Sequence, residues 1–376
     1  MQSLQALALP ALFIAFASPA NPDVAFRAGD FGSAKQGFLQ RIAADPKDVP
    51  ALVGLATIES YENKLAEAER DARRALSVDP SNQAAQRVIR TIDLRAGNSS
   101  KFRIDQSRAA ILPFLGDSPL PVVRLDIDGV ATNVVIDTGA PTLVVSEEFA
   151  SAHNLVLHDA GQGVFAGGRG APIRRTAIAS VSADGLIVRD VTADVMPLPQ
   201  LSSSPRVDAV LGTGFLTHFI ATLDYPRRRL VLDPKNRAPR SSDAPAGIPM
   251  WLVGDHFIFA KASINRGDEA LFNVDSGGSG IGVQLTKAAL DAAHITPDAD
   301  RPTTGMSPAG PVRSLPFVAD SVALGAALQS NVPGVYLPSG DQYGIFPFDV
   351  AGTISQEFLK HYAVTFDFTA MRLALR

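Results

Sequence analysis

Two stretches of this chain repeat one arrangement: VVIDTGAPTLVV, Val134–Val145, and FNVDSGGSGIGV, Phe272–Val283. In each, an apolar run enters Asp-(Thr/Ser)-Gly. The likeness continues downstream. Gly212 follows Asp137 by 75 residues and Gly352 follows Asp275 by 77. A Phe-Leu pair comes next, then an aromatic-flanked aspartate eight residues after the Leu (Asp224 and Asp367), then a closing Arg-Leu strand. So long a register points to two copies of one folding unit. What the copies share at the motif is the Asp and the Gly, whereas Ser276 of the second copy is a threonine in the first. From Lys101 onward the chain consists of short runs rich in Val, Ile, Leu and Phe broken by Gly, Pro and Asp, which predicts an all-β region. NRAPRSSDAPAG, Asn236–Gly247, has no apolar period and is predicted to link a first half, 121–235, to a second, 248–376.

The part before this region reads as helical. Ala43-Ala44-Asp45-Pro46 and Ser77-Val78-Asp79-Pro80 place their Asp-Pro pairs 34 residues apart, and Phe31/Leu65 and Ala34/Ala68 keep the same offset. That is the period of tetratricopeptide repeats, in which Pro ends one helix and small side chains let the next approach. Residues 22–97 are therefore expected to form two such repeats, with a capping helix over Gln83–Arg95. They serve either as a handle for a protein partner or as a helical spacer. The stretch 98–120 is expected to be a linker, with GNSSKFRID, Gly97–Asp105, a polar joint. On this reading a chain starting near Lys101 folds and cleaves small peptides by itself. At the very start, residues 1–20 have an apolar core from about Ala6 to Ala17 followed by small residues, the outline of a signal peptide. The segment lacks a basic residue ahead of that core and is too short for a stable membrane span, so the competing reading is a buried first helix. Cleavage would send the protein to a bacterial-type periplasm or outside the cell.

Composition narrows the chemistry. With 376 residues, 46% hydrophobic and 19% charged, the chain can fill more than one core. A net charge of -4 argues against nucleic acid as a partner. The absence of cysteine removes disulfides, thiolate nucleophiles and Cys-ligated zinc. The six histidines form no H-E-x-x-H pair, so a zinc hydrolase is not expected and no cofactor or metal is called for.

The paired motifs carry a resemblance. From about Pro121 to Arg376 the chain resembles the two-lobed aspartic proteases of the pepsin and retropepsin superfamily, in particular bacterial retropepsin-like proteins with fused lobes. Asp137-Thr138-Gly139-Ala140 matches that family's motif, and Asp275-Ser276-Gly277 matches its first three positions. Val210-Leu211-Gly212 resembles the apolar-apolar-Gly segment beside each catalytic loop, and Val350-Ala351-Gly352 resembles it more loosely. The implied fold is multidomain: helical tetratricopeptide-like repeats followed by an all-β two-lobed acid-protease fold. The implied activity is peptide-bond hydrolysis, with Asp137 and Asp275 catalytic and Thr138, Gly139, Ser276 and Gly277 supporting their loops. Two such loops meeting across a pseudo-twofold axis would let two carboxyls share one proton, because like charges so close cannot both ionise. One would act as base on a water while the other donates to the scissile carbonyl. VFAGGRGAP, Val164–Pro172, lies where the resemblance implies a flap, with Gly167 and Gly168 at its tip; a plain surface hairpin is the other reading. TTGMSPAGP, Thr303–Pro311, is the matching stretch of the second half.

The second motif departs from the family at Gly278, where a small residue with a side chain is usual. Two readings stay open beside an active monomeric endopeptidase acting on peptide or protein substrates. One is a peptide-binding interaction module of this fold with little or no catalysis; the other covers an enzyme that works only as a homodimer pairing like lobes, or some other hydrolase use of the fold. A serine nucleophile at Ser276 would need a histidine upstream in a strand-end context, and the Ala-Ala-His here, ending at His294, lies downstream.

Overall fold

The structure is a computed structural model that describes residues 21–99, 102–165, 169–198, 205–235, 247–307, 309–340 and 343–376. The segment 1–20, read above as a signal peptide, lies outside the described residues, as does the interlobe stretch 236–246. Within the described residues no helix is long and apolar enough to cross a membrane.

Five helices lead the described chain: α1 (Pro22–Arg27), α2 (Phe31–Ala44), α3 (Val49–Tyr61), α4 (Leu65–Val78) and α5 (Gln83–Ser99). The starts of α2 and α4, and of α3 and α5, are 34 residues apart, so the sequence period is a period of helix pairs. Asp45 and Asp79 stand at the C-caps of α2 and α4 in extended conformation. Each carboxylate accepts the backbone N–H two residues on, from Lys47 and from Ser81, and the intervening Pro cannot continue a helix. Asp48 and Asn82 then cap the following helices through the backbone N–H groups of Ala51 and Ala85.

The remainder is β-rich and built twice. In the first copy, strand Val130–Asp137 pairs antiparallel with Val122–Ile127 and parallel with Ala209–Gly212, which is flanked in turn by Leu143–Ser146. In the second, Ala270–Val274 pairs antiparallel with Phe257–Ile264 and parallel with Gly352–Ile354, flanked by Val283–Leu285. Ala209–Gly212 and Leu143–Ser146 are buried at every residue, which is why they read as continuous apolar runs without alternation. The copies are joined by antiparallel strands in the order Ala110–Pro113, Arg229–Pro234, Phe219–Asp224, Ala363–Asp367, Arg372–Leu375, Ile248–Val253. Thr222 faces Thr365 at the centre of this sheet, their hydroxyls 2.8 Å apart. One apolar core, from Phe149, Phe215 and Phe219 to Phe272, Phe358 and Phe366, runs through both lobes.

Two expectations about the N-terminal part give way. The stretch 98–120 is not a plain linker: Arg103–Asp105 pairs with Leu186–Met196, and Ala110–Pro113 is the edge strand of the interlobe sheet, the counterpart of Ile248–Val253. Nor are the helices a separately attached array. Phe31, Phe38, Leu55, Ile58 and Tyr61 share one apolar cluster with Val253, Phe259, Leu271, Phe348 and Val350 of the second lobe. Phe31 meets Phe348 and Trp251 edge-on at 5.2 and 5.3 Å between ring centroids. From α5, the buried Arg95 donates to the carbonyls of Leu252 and Gly254, both at 2.6 Å, and of Ser60 at 2.7 Å. Its guanidinium thus ties α3 to the strand end at Val253. Asp349 N–H also donates to Arg27 O, and Asn63 Nδ2 to Phe368 O.

Candidate active site

Asp137 ends the strand Val130–Asp137, and Asp275 follows directly on Ala270–Val274. The parallel strand beside each fixes where the chain must turn. At that turn the two loops exchange four hydrogen bonds in a near-symmetric lattice. Thr138 Oγ1 donates to Val274 O at 2.9 Å, and Ser276 Oγ donates to Ile136 O at 3.0 Å. In return Thr138 N–H donates to Ser276 Oγ and Ser276 N–H to Thr138 Oγ1, both at 3.0 Å. Both hydroxyls are fully buried, and each acts as donor and acceptor at once. A hydroxyl at this position is needed in both copies, and either Thr or Ser supplies it.

This lattice sets the carboxyls against each other. A Cβ on Gly139 would stand 2.5 Å from Asp275 Oδ2, and one on Gly277 would stand 2.5 Å from either carboxyl oxygen of Asp137. Any side chain there would displace the opposing carboxylate. Each aspartate also accepts from the glycine two residues on: Gly139 N–H to Asp137 Oδ1 at 2.8 Å, Gly277 N–H to Asp275 Oδ1 at 2.7 Å. Asp137 and Asp275 are each half-buried. The Asp137 carboxyl is held well above the ordinary aspartate value, first by burial and then by the charge and hydrogen bond of Asp275. Tyr225, whose buried hydroxyl finds no hydrogen-bond partner among the described residues, is held neutral by burial first and by the two aspartates second.

Downstream of the motifs the structure changes one assignment. Asp137 lies opposite Gly212 and Ile136 opposite Leu211. In the second lobe Val274 lies opposite Ile354 and Phe272 opposite Gly352. The counterpart of Gly212 is therefore Ser355, not Gly352. Each begins a short helix, Thr213–Leu216 and Gln356–Leu359, which brings Phe215-Leu216 and Phe358-Leu359 into register. Both glycines exclude a side chain, but against different neighbours: at Gly212 it would meet Ala140 O and Thr142 O, at Gly352 Gln284 O.

The lobes also differ one row back. Val135, Val210 and Val144 stand side by side in the first lobe, within an apolar cluster that Ala140, Phe165 and Ile173 complete. The matching row in the second lobe is Asn273, Thr353 and Gln284. There Tyr343 hydrogen-bonds the Thr353 hydroxyl, and Gln284 Nε2 reaches the Tyr343 hydroxyl. The sequence signal for this asymmetry was available, since Asn two residues before Asp275 breaks an otherwise apolar strand.

The expected flap tip, Gly167 and Gly168, lies outside the described residues. The hairpin leading to it is present, His158–Phe165 against Arg169–Ala183, and so is its second-lobe counterpart, Thr303–Ser307 against Gly310–Leu324. Among the described residues no group of three or more His, Asp or Glu is placed to hold a metal ion.

Replacing Ser276 by Ala removes one donor and one acceptor from the four-bond lattice while leaving both carboxyls in place. The expected result is a variant that melts lower by about 1–3 kcal/mol of stability and keeps part of the peptide cleavage that the resemblance implies. Thermal unfolding and peptide hydrolysis, measured side by side, check this; a completely inactive, fully stable Ser276→Ala would instead make the serine the reacting group.

Residues 123–215 match the family model described as aspartyl protease. The match takes in the first Asp-Thr-Gly loop and its partner strand Ala209–Gly212. Among solved structures, a retropepsin-like aspartic protease from Rickettsia conorii is similar at 17% identity over 35% of this chain and 93% of that one, with a TM-score of 0.26. Basic 7S globulin from soybean is similar at 12% identity over 72% of this chain and 95% of that one, with a TM-score of 0.40. No curated protein sequence matches.

Proposed function

We propose that the chain is an aspartic endopeptidase whose single active site is made by Asp137 of the first lobe and Asp275 of the second. The observation that carries this reading is the interlocked pair of loops, in which each motif glycine leaves room for the opposite carboxyl. In the proposed mechanism one proton lies between the two carboxyls, because like charges so close are not both ionised. The ionised partner takes a proton from a bound water as that water adds to the scissile carbonyl carbon, and the protonated partner gives its proton to the carbonyl oxygen. Collapse of the tetrahedral intermediate breaks the C–N bond: the leaving nitrogen receives the proton taken from the water, and one hydroxyl of the intermediate returns its proton to the carboxylate that had acted as acid, which restores the starting pair. No side chain becomes acylated. Both lobes belong to one chain, so a monomer suffices and the substrate is a peptide segment running between the two hairpins. A peptide-binding module without catalysis is the weaker reading. The feature that favoured it was the missing side chain at Gly278, and Ser355 fills that space.

Cleavage of a mixed peptide pool, followed by mass spectrometry across pH, tests the proposal. Burial and the neighbouring charge favour the protonated pair, so the acid is present at low pH and is lost as pH rises through the raised value of Asp137. The expected profile of kcat/KM is highest in acid and falls on the alkaline side. A profile with no fall on the alkaline side anywhere in the range over which the protein stays folded would rule out the shared proton.

A further inference from the structure

We propose that Ser355 is the positioning residue of the second catalytic loop: its hydroxyl is inserted into the turn that carries Asp275 and replaces the side chain that Gly278 lacks. This rests on the dyad reading above. In the first lobe the turn closes directly, Ala140 N–H donating to Asp137 O at 3.1 Å. In the second, the same two groups are bridged by one hydroxyl. Gly278 N–H donates to Ser355 Oγ at 3.1 Å, and Ser355 Oγ donates to Asp275 O at 2.6 Å. The bridge passes the closure of this turn to Ser355, at the end of the neighbouring strand.

The side chains have changed places to allow this. The first lobe has a methyl at Ala140 and none at Gly212, where a Cβ would collide with Ala140 O and stand 2.7 Å from Thr142 O. The second lobe has none at Gly278, where a Cβ would collide with Ser355 Oγ, and a hydroxymethyl at Ser355. Ala140/Gly212 and Gly278/Ser355 are two solutions to one packing problem. In the first lobe the hydroxyl from this helix start comes one residue later and reaches another carbonyl, Thr213 Oγ1 donating to Thr138 O at 2.8 Å; in the second it bridges the turn that carries the aspartate. Ser355 touches no reacting atom; it acts through the Asp275 carbonyl. Its burial keeps water from taking its place in the bridge.

The test is a cycle of Gly278→Ala, Ser355→Gly and the double variant, with Ser355→Ala and Ser355→Thr beside it. Each is read by kcat/KM against pH on a small peptide and by thermal unfolding. Misplacing Asp275 by a fraction of an ångström to one ångström is expected to cost each single variant and Ser355→Ala about 10²-fold in kcat/KM, mainly in kcat, with a shifted alkaline limb. Ser355→Thr, which keeps the hydroxyl, should keep the wild-type pH profile. The double variant, which rebuilds the first-lobe pair, should recover most of the loss. If Gly278→Ala alone fails to fold, recovery of folding on adding Ser355→Gly supports the exchange, and a double variant that also fails overturns it. Simple addition of the two losses, or an unaltered rate and pH profile in Ser355→Ala, also overturns it. Absence of cleavage by the wild-type chain would count against the peptidase reading alone. The same cycle read by unfolding would then decide the exchange, coupling supporting it and additivity refuting it.

Discussion

A chain shortened to Lys101–Arg376 is expected to lose soluble folding and peptide cleavage together. The helices do not merely precede the second lobe; they cover it. Val253, Phe259, Leu271, Phe348 and Val350 are buried against Phe31, Phe38, Leu55, Ile58 and Tyr61. Exposing five such side chains costs about 7–15 kcal/mol at the usual value per buried apolar group, as much as the whole stability of an ordinary domain. The carbonyls of Leu252 and Gly254 also lose the Arg95 guanidinium. The damage reaches the site by a short path. Leu271 stands four residues before Asp275 on the strand that delivers it, and Val350 five before Ser355. Soluble yield, circular dichroism and cleavage of a small peptide are the readouts. A soluble, monomeric truncation as active as the full chain would show that the shared cluster is dispensable.

Asp137→Asn and Asp275→Asn are each expected to lower kcat/KM by about 10⁴-fold, the upper range for removal of a positioned acid or base. Asparagine keeps the shape of the side chain and can still accept from the glycine N–H, but it cannot take or give the proton. A melting curve separates this loss from unfolding. The Asp137 carboxyl holds its proton more tightly folded than unfolded. Its contribution to stability is therefore complete below the ordinary aspartate pKa and is lost as pH rises through the raised value. Asp137→Asn lacks that titration, so it should melt above the wild type near neutral pH, with the advantage shrinking toward acid. An inactive variant that melts higher at neutral pH has lost chemistry, not structure.

How far the sequence could be read follows from what each residue had to satisfy. The Asp-(Thr/Ser)-Gly loops were legible because their requirements are local and doubled: a hydroxyl for the lattice, no side chain at the glycine, an apolar strand leading in. The Phe-Leu pairs and the closing strands kept their spacing because Asp224 and Asp367 end matching strands. Asp224 binds Arg229 across its hairpin, and Asp367 accepts from the N–H groups of Thr369 and Ala370. Ser355 was not legible. Gly352 lies nearby, also barred from a side chain, and only the strand register tells the two positions apart. The docking of the helices was missed because a 34-residue period describes how helices pack on one another and says nothing of what covers their other faces. One signal did exist. In α3, VPALVGLATIESY, eight of 13 residues are buried, and a helix apolar on nearly all sides needs partners beyond its neighbours in a repeat. Ala110–Pro113 was lost in the linker because an edge strand of four residues, alternately buried and exposed, is recognisable only beside its partner, Arg229–Pro234.

The central claim is that one chain holds one complete pair of carboxyls. It is tested most directly by assaying Asp137→Asn, Asp275→Asn and their equimolar mixture on a single peptide over a range of enzyme concentrations, beside the wild type. A site closed within each chain expects the wild-type rate to stay proportional to enzyme concentration on dilution, and it expects both variants and their mixture to remain at background. Activity regained in the mixture, or a wild-type specific activity that collapses on dilution, would mean that two chains complete each site and would contradict the account.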